Sequence, residues 1–204
     1  MNIVIRAATL ADIPALIAIH DSAFPNFFLT LLGPRFLLLL YQGFINEAAG
    51  SLDVAVDDQS VLCGLLAGAR LPAEFFSALR RNRWLPLGVA MIPGLLRHPI
   101  RCLERMWSAL LYNGDRPAMM ADYWLISSLG VPRHHSGAGI GRRLVEHFCA
   151  EARDAGAKGV YLQTDQDHNA TTLGFYANLG FVVQGAHARS DGRRLLTLKR
   201  SFSP

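Results

Sequence analysis

Residues 125–181 read LISSLGVPRHHSGAGIGRRLVEHFCAEARDAGAKGVYLQTDQDHNATTLGFYANLGF, and the stretch Leu125 to Phe181 decides the fold. Trp124 to Val131 is rich in β-branched and apolar residues and stops at Pro132, the pattern of a buried strand. A helix is expected from about Gly139. Leu144, Val145, Phe148, Cys149 and Ala152 fall at helical spacing, with Arg142, Arg143, Glu146 and Arg153 on the other face. Gly156 is a natural terminator. Val160 to Gln163 reads as a second strand, followed by Asn169, a short helix and the pair Phe175-Tyr176.

Between the first strand and its helix lies Ser136-Gly137-Ala138-Gly139-Ile140-Gly141. Small residues let a ligand approach the backbone. The first N–H groups of the helix have no internal partner, so hydrogen bonding and the helix dipole both favour an anion there. Arg142 and Arg143 can add charge. A Walker loop is excluded, because no Gly-Lys-Ser/Thr follows. The dinucleotide fingerprint fails on spacing, since Gly137, Gly139 and Gly141 do not form Gly-x-Gly-x-x-Gly.

The residues resemble instead the pyrophosphate loop of the GNAT acetyltransferase superfamily, Arg/Gln-x-x-Gly-x-Gly/Ala after a strand. Val131, Gly139 and Gly141 match it, while Ser136 stands where Arg or Gln is usual. Asn169, Phe175, Tyr176, Gly180 and Phe181 resemble the family's second segment, Asn-x-x-Ala-x-x-Phe-Tyr-x-x-x-Gly-Phe, with Thr172 in the alanine place. The resemblance is specific over Leu125 to Phe181 and looser elsewhere.

That resemblance implies an α/β GNAT fold. It has a mixed, twisted sheet with splayed central strands, flanking helices and acetyl-CoA as co-substrate. The acetyl group passes directly to a primary amine, expected here on a small molecule. Leu129, Gly130 and Val131 would bind pantetheine by strand addition. A backbone N–H in this part of the strand would polarise the thioester carbonyl. Ser136, Gly137, Ala138, Gly139, Ile140, Gly141 and Arg142 would hold the pyrophosphate, and Asn169 the cofactor arm. Tyr176 would be the general acid. A phenol near pKa 10 is matched well enough to a thiolate near about 8.5 for the proton to pass.

The base is open. Some relatives carry a glutamate on the central strand, and that place is Leu125. Asp122, Tyr123, Asp165 or a water chain remain, and His134 and His135 read as surface or phosphate-contacting residues. The rival functions are a non-catalytic acyl-CoA sensor or scaffold and an acetyltransferase for a protein amine.

Composition narrows the class. The chain has 204 residues, 51% of them hydrophobic and 18% charged, with a net charge of +4. One domain over 1–204 is expected. Cys63, Cys102 and Cys149 are scattered, which suits free thiols in a reducing, cytoplasmic setting and offers no metal cluster. No leader peptide and no spanning helix are expected. The most apolar tract, Phe27 to Phe44, is broken by Gly33, Pro34 and Arg35.

Towards the start, Asn2 to Arg6 alternates as a strand, and Thr9 to Asp12 has the shape of a capping box. The following helix turns Ile13, Leu16, Ile17 and Ile19 inward. Phe24, Phe27 and Phe28 lie where the resemblance puts the acceptor, and a helix spans Arg35 to Glu47. Leu52 to Val56 and Val61 to Ala69 make a hairpin, as do Val182 to His187 and Arg193 to Lys199 across Ser190-Asp191-Gly192.

Residues 72–118 form a helical insertion between the third and fourth strands. It holds seven arginines against Glu74, Glu104 and Asp115, so the whole net charge resides there. Ile100, Leu103, Trp107 and Leu110 form an apolar stripe. A lid with a homodimer contact is the favoured role. Membrane contact is disfavoured because Pro86, Pro93 and Pro99 interrupt the helices, and nucleic acid because no reader motif appears.

Overall fold

The frame of the computed structural model is a seven-stranded sheet in the order β1-β2-β3-β4-β5-β7-β6. Residues 2–25, 27–97, 120–188 and 194–202 are described. β1 (Val4–Ala7), β2 (Gly50–Val56), β3 (Leu62–Ala69) and β4 (Tyr123–Gly130) pair antiparallel in succession. β4 pairs parallel with β5 (Gly159–Asp165). β7 (Arg194–Ser201) then pairs antiparallel with β5 and with β6 (Val182–Ala188). This is the mixed sheet expected, including both hairpins.

β2 is buried along its whole length, because helices cover both faces. On one face lie α1 (Ile13–Ala23) and α3 (Pro34–Asn46), which pack Leu16, Leu37, Tyr41 and Phe44 against Val54 and Leu65. On the other lies α5 (Ile140–Asp154). Its buried residues include Leu144, Val145, Phe148, Cys149 and Ala152, the stripe the spacing predicts. Each large side chain so buried contributes about 1.5–3 kcal/mol. The fit is close at Gly68, where a Cβ would meet Phe148 and lie 2.9 Å from the Leu125 carbonyl oxygen.

The start of the chain is tied by charge. Arg6 Nη1 and Nη2 donate to Asp12 Oδ2 and Oδ1 at 2.8 and 2.9 Å. Thr9 N donates to Asp12 Oδ2 at 2.7 Å, the reciprocal bond of the expected capping box.

The insertion begins with α4 (Pro72–Arg97), one helix running through Pro86 and Pro93. The expectation that these prolines interrupt it is corrected. Each removes a donor, but packing at both ends holds the helix. Phe75 stacks on Phe44 with centroids 4.5 Å apart. Gly94 lies so close to α2 (Phe28–Leu32) that a Cβ would be 2.5 Å from Leu31 O. Leu85, Val89, Ile92 and Leu96 are exposed along another face. The Ile100, Leu103, Trp107 and Leu110 stripe, Pro99 and the Ser190-Asp191-Gly192 turn lie outside the described residues.

Candidate active site

β4 and β5 pair only from Tyr123↔Gly159 to Ile126↔Leu162. Beyond that point β4 stays paired with β3 as far as Gly130, and β5 with β7 as far as Asp165. The two central strands therefore diverge over Ser127–Gly130 and Gln163–Asp165. The cause is visible in the register with β3, where Ala67 faces Ser128 and Gly68 faces Ile126. Ser127 is the extra residue of a bulge, which bends its strand and increases the twist. Ser127 is exposed and Ser128 half-buried, so the buried strand expected here opens midway. Leu129 and Val131 are half-buried and Gly130 is buried, all on the β4 side of the gap.

At the mouth of the gap the chain turns through Arg133–His135, one turn of 3-10 helix, into the glycine loop. Ser136, Gly137, Ala138 and Gly139 are exposed. Gly137 and Gly139 have φ of +82° and +75°, which an L side chain adopts only with strain. Gly139 is the N-cap of α5, and its carbonyl accepts from Arg143 N at 3.1 Å. The N–H groups of Ile140, Gly141 and Arg142 precede that first bond and point out of the helix end. Ile140 is buried and anchors the turn. A Cβ on Gly141 would lie 3.5 Å from the Phe175 ring and 3.7 Å from Val131, so this turn borders the gap. Arg142 is exposed beside Glu146, 3.4 Å away, a pairing worth little in water. Arg143 is not available to an anion at the loop, because its Nη2 donates to Ile3 O at 2.6 Å.

α6 (Ala170–Ala177) carries the second cluster. Asn169 is its N-cap, and Asn169 Nδ2 donates to Thr164 Oγ1 at 2.7 Å and to Asp165 O at 2.8 Å. It thereby joins the end of β5 to the helix. Tyr176 is 6% exposed, edge-on to Phe175 and Phe181 at 5.0 and 5.3 Å. Burial pushes its phenol well above the ordinary value, with Cys149 adding to the shift. Part of this motif has a purely architectural cause. Gly180, at φ +79°, lets the chain reverse, and Phe181 N then donates to Tyr176 O at 3.0 Å.

The far side of β4 holds aromatic residues. The Phe24 ring lies 3.3 Å from where a Gly130 Cβ would be. It packs against Phe27 at 5.2 Å and His20 at 4.9 Å. His20 is 2% exposed, and its Nδ1 shares a 2.7 Å hydrogen bond with Tyr41 Oη. Its Nε2 is buried with no partner. Burial pulls His20 down to about 4. The sequence carries a signal for His20, since positions 13, 16 and 20 lie on one helical face.

Two candidate bases are in the wrong place. Asp122 and Tyr123 stand at the paired end of β4, roughly 13–17 Å from the bulge at 3.3 Å per residue. Asp122 pairs with Lys158 Nζ at 2.7 Å, and Tyr123 Oη is 2.9 Å from Ser201 Oγ. Asp165 borders the gap. Leu125 is 4% exposed within the core. His134 is exposed and His135 half-buried, their rings 4.3 Å apart.

Residues 101–181 match the model of the Acetyltransferase (GNAT) family. The fold is similar to the ribosomal-protein-alanine N-acetyltransferase of Brucella melitensis, with TM-score 0.63 and 19% identity over 98% of this chain and 99% of that one. It is similar to the spermidine/spermine N-acetyltransferase SpeG of Vibrio cholerae, with TM-score 0.58 and 13% identity over 98% and 95%. A Bacillus anthracis chain whose structure contains acetyl coenzyme A aligns with TM-score 0.51 and 15% identity over 80% and 68%.

Proposed function

We propose that the chain, whose residues 101–181 match the Acetyltransferase (GNAT) family, moves an acetyl group from acetyl-CoA to a primary amine of a small molecule. The observation that carries this reading is the divergence of β4 from β5 after Ile126 and Leu162, beside the start of α5. An extended amide-bearing arm fits between two strand edges as an added strand. Leu129, Gly130 and Val131 line one edge. Its pyrophosphate would meet the turn from Ser136 to Arg142, where the first helical N–H groups gather. Ser136 brings a hydroxyl but no charge, so Arg142 is the cation of this subsite. Asn169 Nδ2 is engaged with β5, which leaves the amide oxygen as the group to receive a donor from the arm.

The amine nitrogen attacks the thioester carbonyl carbon, and the C–S bond breaks. A β4 main-chain N–H supports the oxygen as charge gathers on it. Tyr176 gives its proton to the departing thiolate, whose developing charge has to offset the raised pKa of the buried phenol. Asp165 and bound water are the route by which the ammonium loses its proton. The acceptor side is apolar and aromatic around Phe24 and Phe27, which supports a small acceptor with an apolar part. We assign the chain to one cytoplasmic domain over 1–204 that pairs with a second copy through the exposed Leu85, Val89, Ile92 and Leu96 face of α4.

The test is free-thiol release from acetyl-CoA against a panel of amines. The panel includes polyamines, amino acids, amino sugars and a peptide with an N-terminal alanine. Turnover with a small amine supports the proposal, turnover with the peptide alone moves the acceptor to protein. Binding of acetyl-CoA without turnover on any amine favours a sensor.

A further inference from the structure

Away from the gap, Asp53 on β2 meets His147 and Glu151 on α5. One donor atom from each lies within 4.8 Å of the other two. His147 and Glu151 are one turn apart and share a helix face, with Nε2 and Oε1 3.8 Å apart. Asp53 comes from beneath, out of the sheet. It is 2% exposed, and its Oδ2 is buried without a hydrogen-bond partner. Glu151 Oε2 is likewise buried and without a partner. Two carboxylates that each hold a buried, unmatched oxygen thus meet between helix and sheet.

Such an arrangement is costly unless a cation joins it. Burial first, and then the Glu151 charge, push Asp53 up to about 7, while Arg70 acts in the opposite sense. No ion pair links Arg70 to either carboxylate among the described residues. Its guanidinium lies over the Trp124 ring, 5.3 Å from the centroid. His147 and Glu151 are partly exposed, so an ion has a way in.

We infer that Asp53, His147 and Glu151 bind a divalent transition-metal ion. An imidazole nitrogen with two carboxylate oxygens suits zinc or a neighbouring metal, whereas calcium and magnesium take oxygen alone. Ligand bonds of about 2.0–2.2 Å bring donors to roughly 3.3 Å from one another in a tetrahedron. Rotations of the His147 and Glu151 side chains cover the difference, and water takes the fourth place. The ion clamps the second half of α5 to β2. It is about 10–17 Å along the helix from the glycine loop at 1.5 Å per residue, so its role is structural. The inference is independent of the acetyl-transfer reading.

The experiment titrates tag-free, chelator-treated protein with Zn2+ by calorimetry and follows Tm. Co2+ serves as the visible-absorption probe. One equivalent should bind, and 100-fold excess over Kd should raise Tm by roughly 5–10 °C. Glu151→Gln and His147→Ala, both on the partly exposed helix face, should weaken binding at least about tenfold. Asp53→Asn should abolish it. His134→Ala/His135→Ala, which removes the histidine pair ahead of the glycine loop, should leave both readouts unchanged. The inference is overturned if wild type binds no equivalent of Zn2+. Retention of binding by Glu151→Gln and Asp53→Asn, or its loss in the double histidine variant, would equally overturn it.

Discussion

Replacing Gly139 by alanine should destabilise the fold, while the same change at Gly141 should not. Gly139 caps α5 at φ +75° and ψ 4°, and no atom lies within 4 Å of where its Cβ would be. The penalty is therefore conformational, about 1–2 kcal/mol for a left-handed L-residue. For a chain of this size that is a fall in Tm of roughly 2–8 °C. Gly141 lies inside the helix, and its Cβ would be 3.5 Å from Phe175, an ordinary contact. Alanine is favoured over glycine in a helix by at most about 1 kcal/mol, so Gly141→Ala should be neutral or raise Tm slightly. The same methyl faces Phe175 and Val131 at the border of the gap, so CoA affinity should fall about tenfold, near 1.4 kcal/mol. Differential scanning calorimetry reads the first quantity and titration with CoA the second. A stable Gly139→Ala would refute the left-handed turn. An unchanged CoA Kd in Gly141→Ala would refute the placement of the pyrophosphate beside that turn.

Tyr176→Phe should lower kcat by about 100-fold or more while CoA binding persists, and equal turnover in a coupled thiol assay would remove Tyr176 from the acid role. Asp12→Asn should cost about 1–3 kcal/mol at pH 7. Arg6 holds Asp12 well below the ordinary carboxylate range, so its contribution is full above pH about 4–5 and fades on acidification. Urea melts at pH 7 and pH 2.5 should show the wild-type advantage shrinking. His20 stays neutral down to about 4, so the unfolded chain takes up the extra proton first and native stability falls from pH about 6.5 towards 4. His20→Gln should flatten that window, and an unaltered pH profile would refute the assignment. Gly94→Ala should destabilise by about 1–3 kcal/mol through its collision with the backbone of α2, and an unperturbed urea midpoint would show that α4 does not dock there.

What the sequence makes legible is what depends on neighbours along the chain. The stripe of α5, the turn at Asp57 and the Asp12 cap follow from spacing and from short polar side chains. Gln59 N and Val61 N both donate to Asp57 Oδ1, at 2.9 and 2.8 Å. What depends on partners far along the chain is less legible. Asp122 and Tyr123 share a strand with Leu129, but only the register with β5 reveals that they stand at its closed end. Arg143 is adjacent to Arg142, yet it reaches Ile3, 140 residues away. The carboxylates of the proposed metal site are illegible for the same reason, since Asp53 lies almost a hundred positions before Glu151. One local clue does exist. Ser127-Ser128 in a central strand marks where pairing stops, because a strand buried on both faces seldom spends two positions on hydroxyls.

That pair of serines also bears on why the cleft takes an amide-rich arm. A paired parallel strand satisfies its N–H and C=O groups on both edges. Once Ser127 bulges, the β4 edge loses β5, and the β5 edge beyond Leu162 loses β4. Each main-chain group left without a partner when water is excluded costs about 1–3 kcal/mol, so an apolar ligand filling the cleft would strand them. An extended chain carrying its own amides answers both edges, while the start of α5 at the same end answers an anion. The bulge and the helix terminus therefore select the same ligand from two sides. Restoring strand pairing by deleting Ser127 should abolish CoA binding even though the glycine loop is untouched. Full affinity in that deletion, measured by titration with the folded protein, would show the loop acting alone.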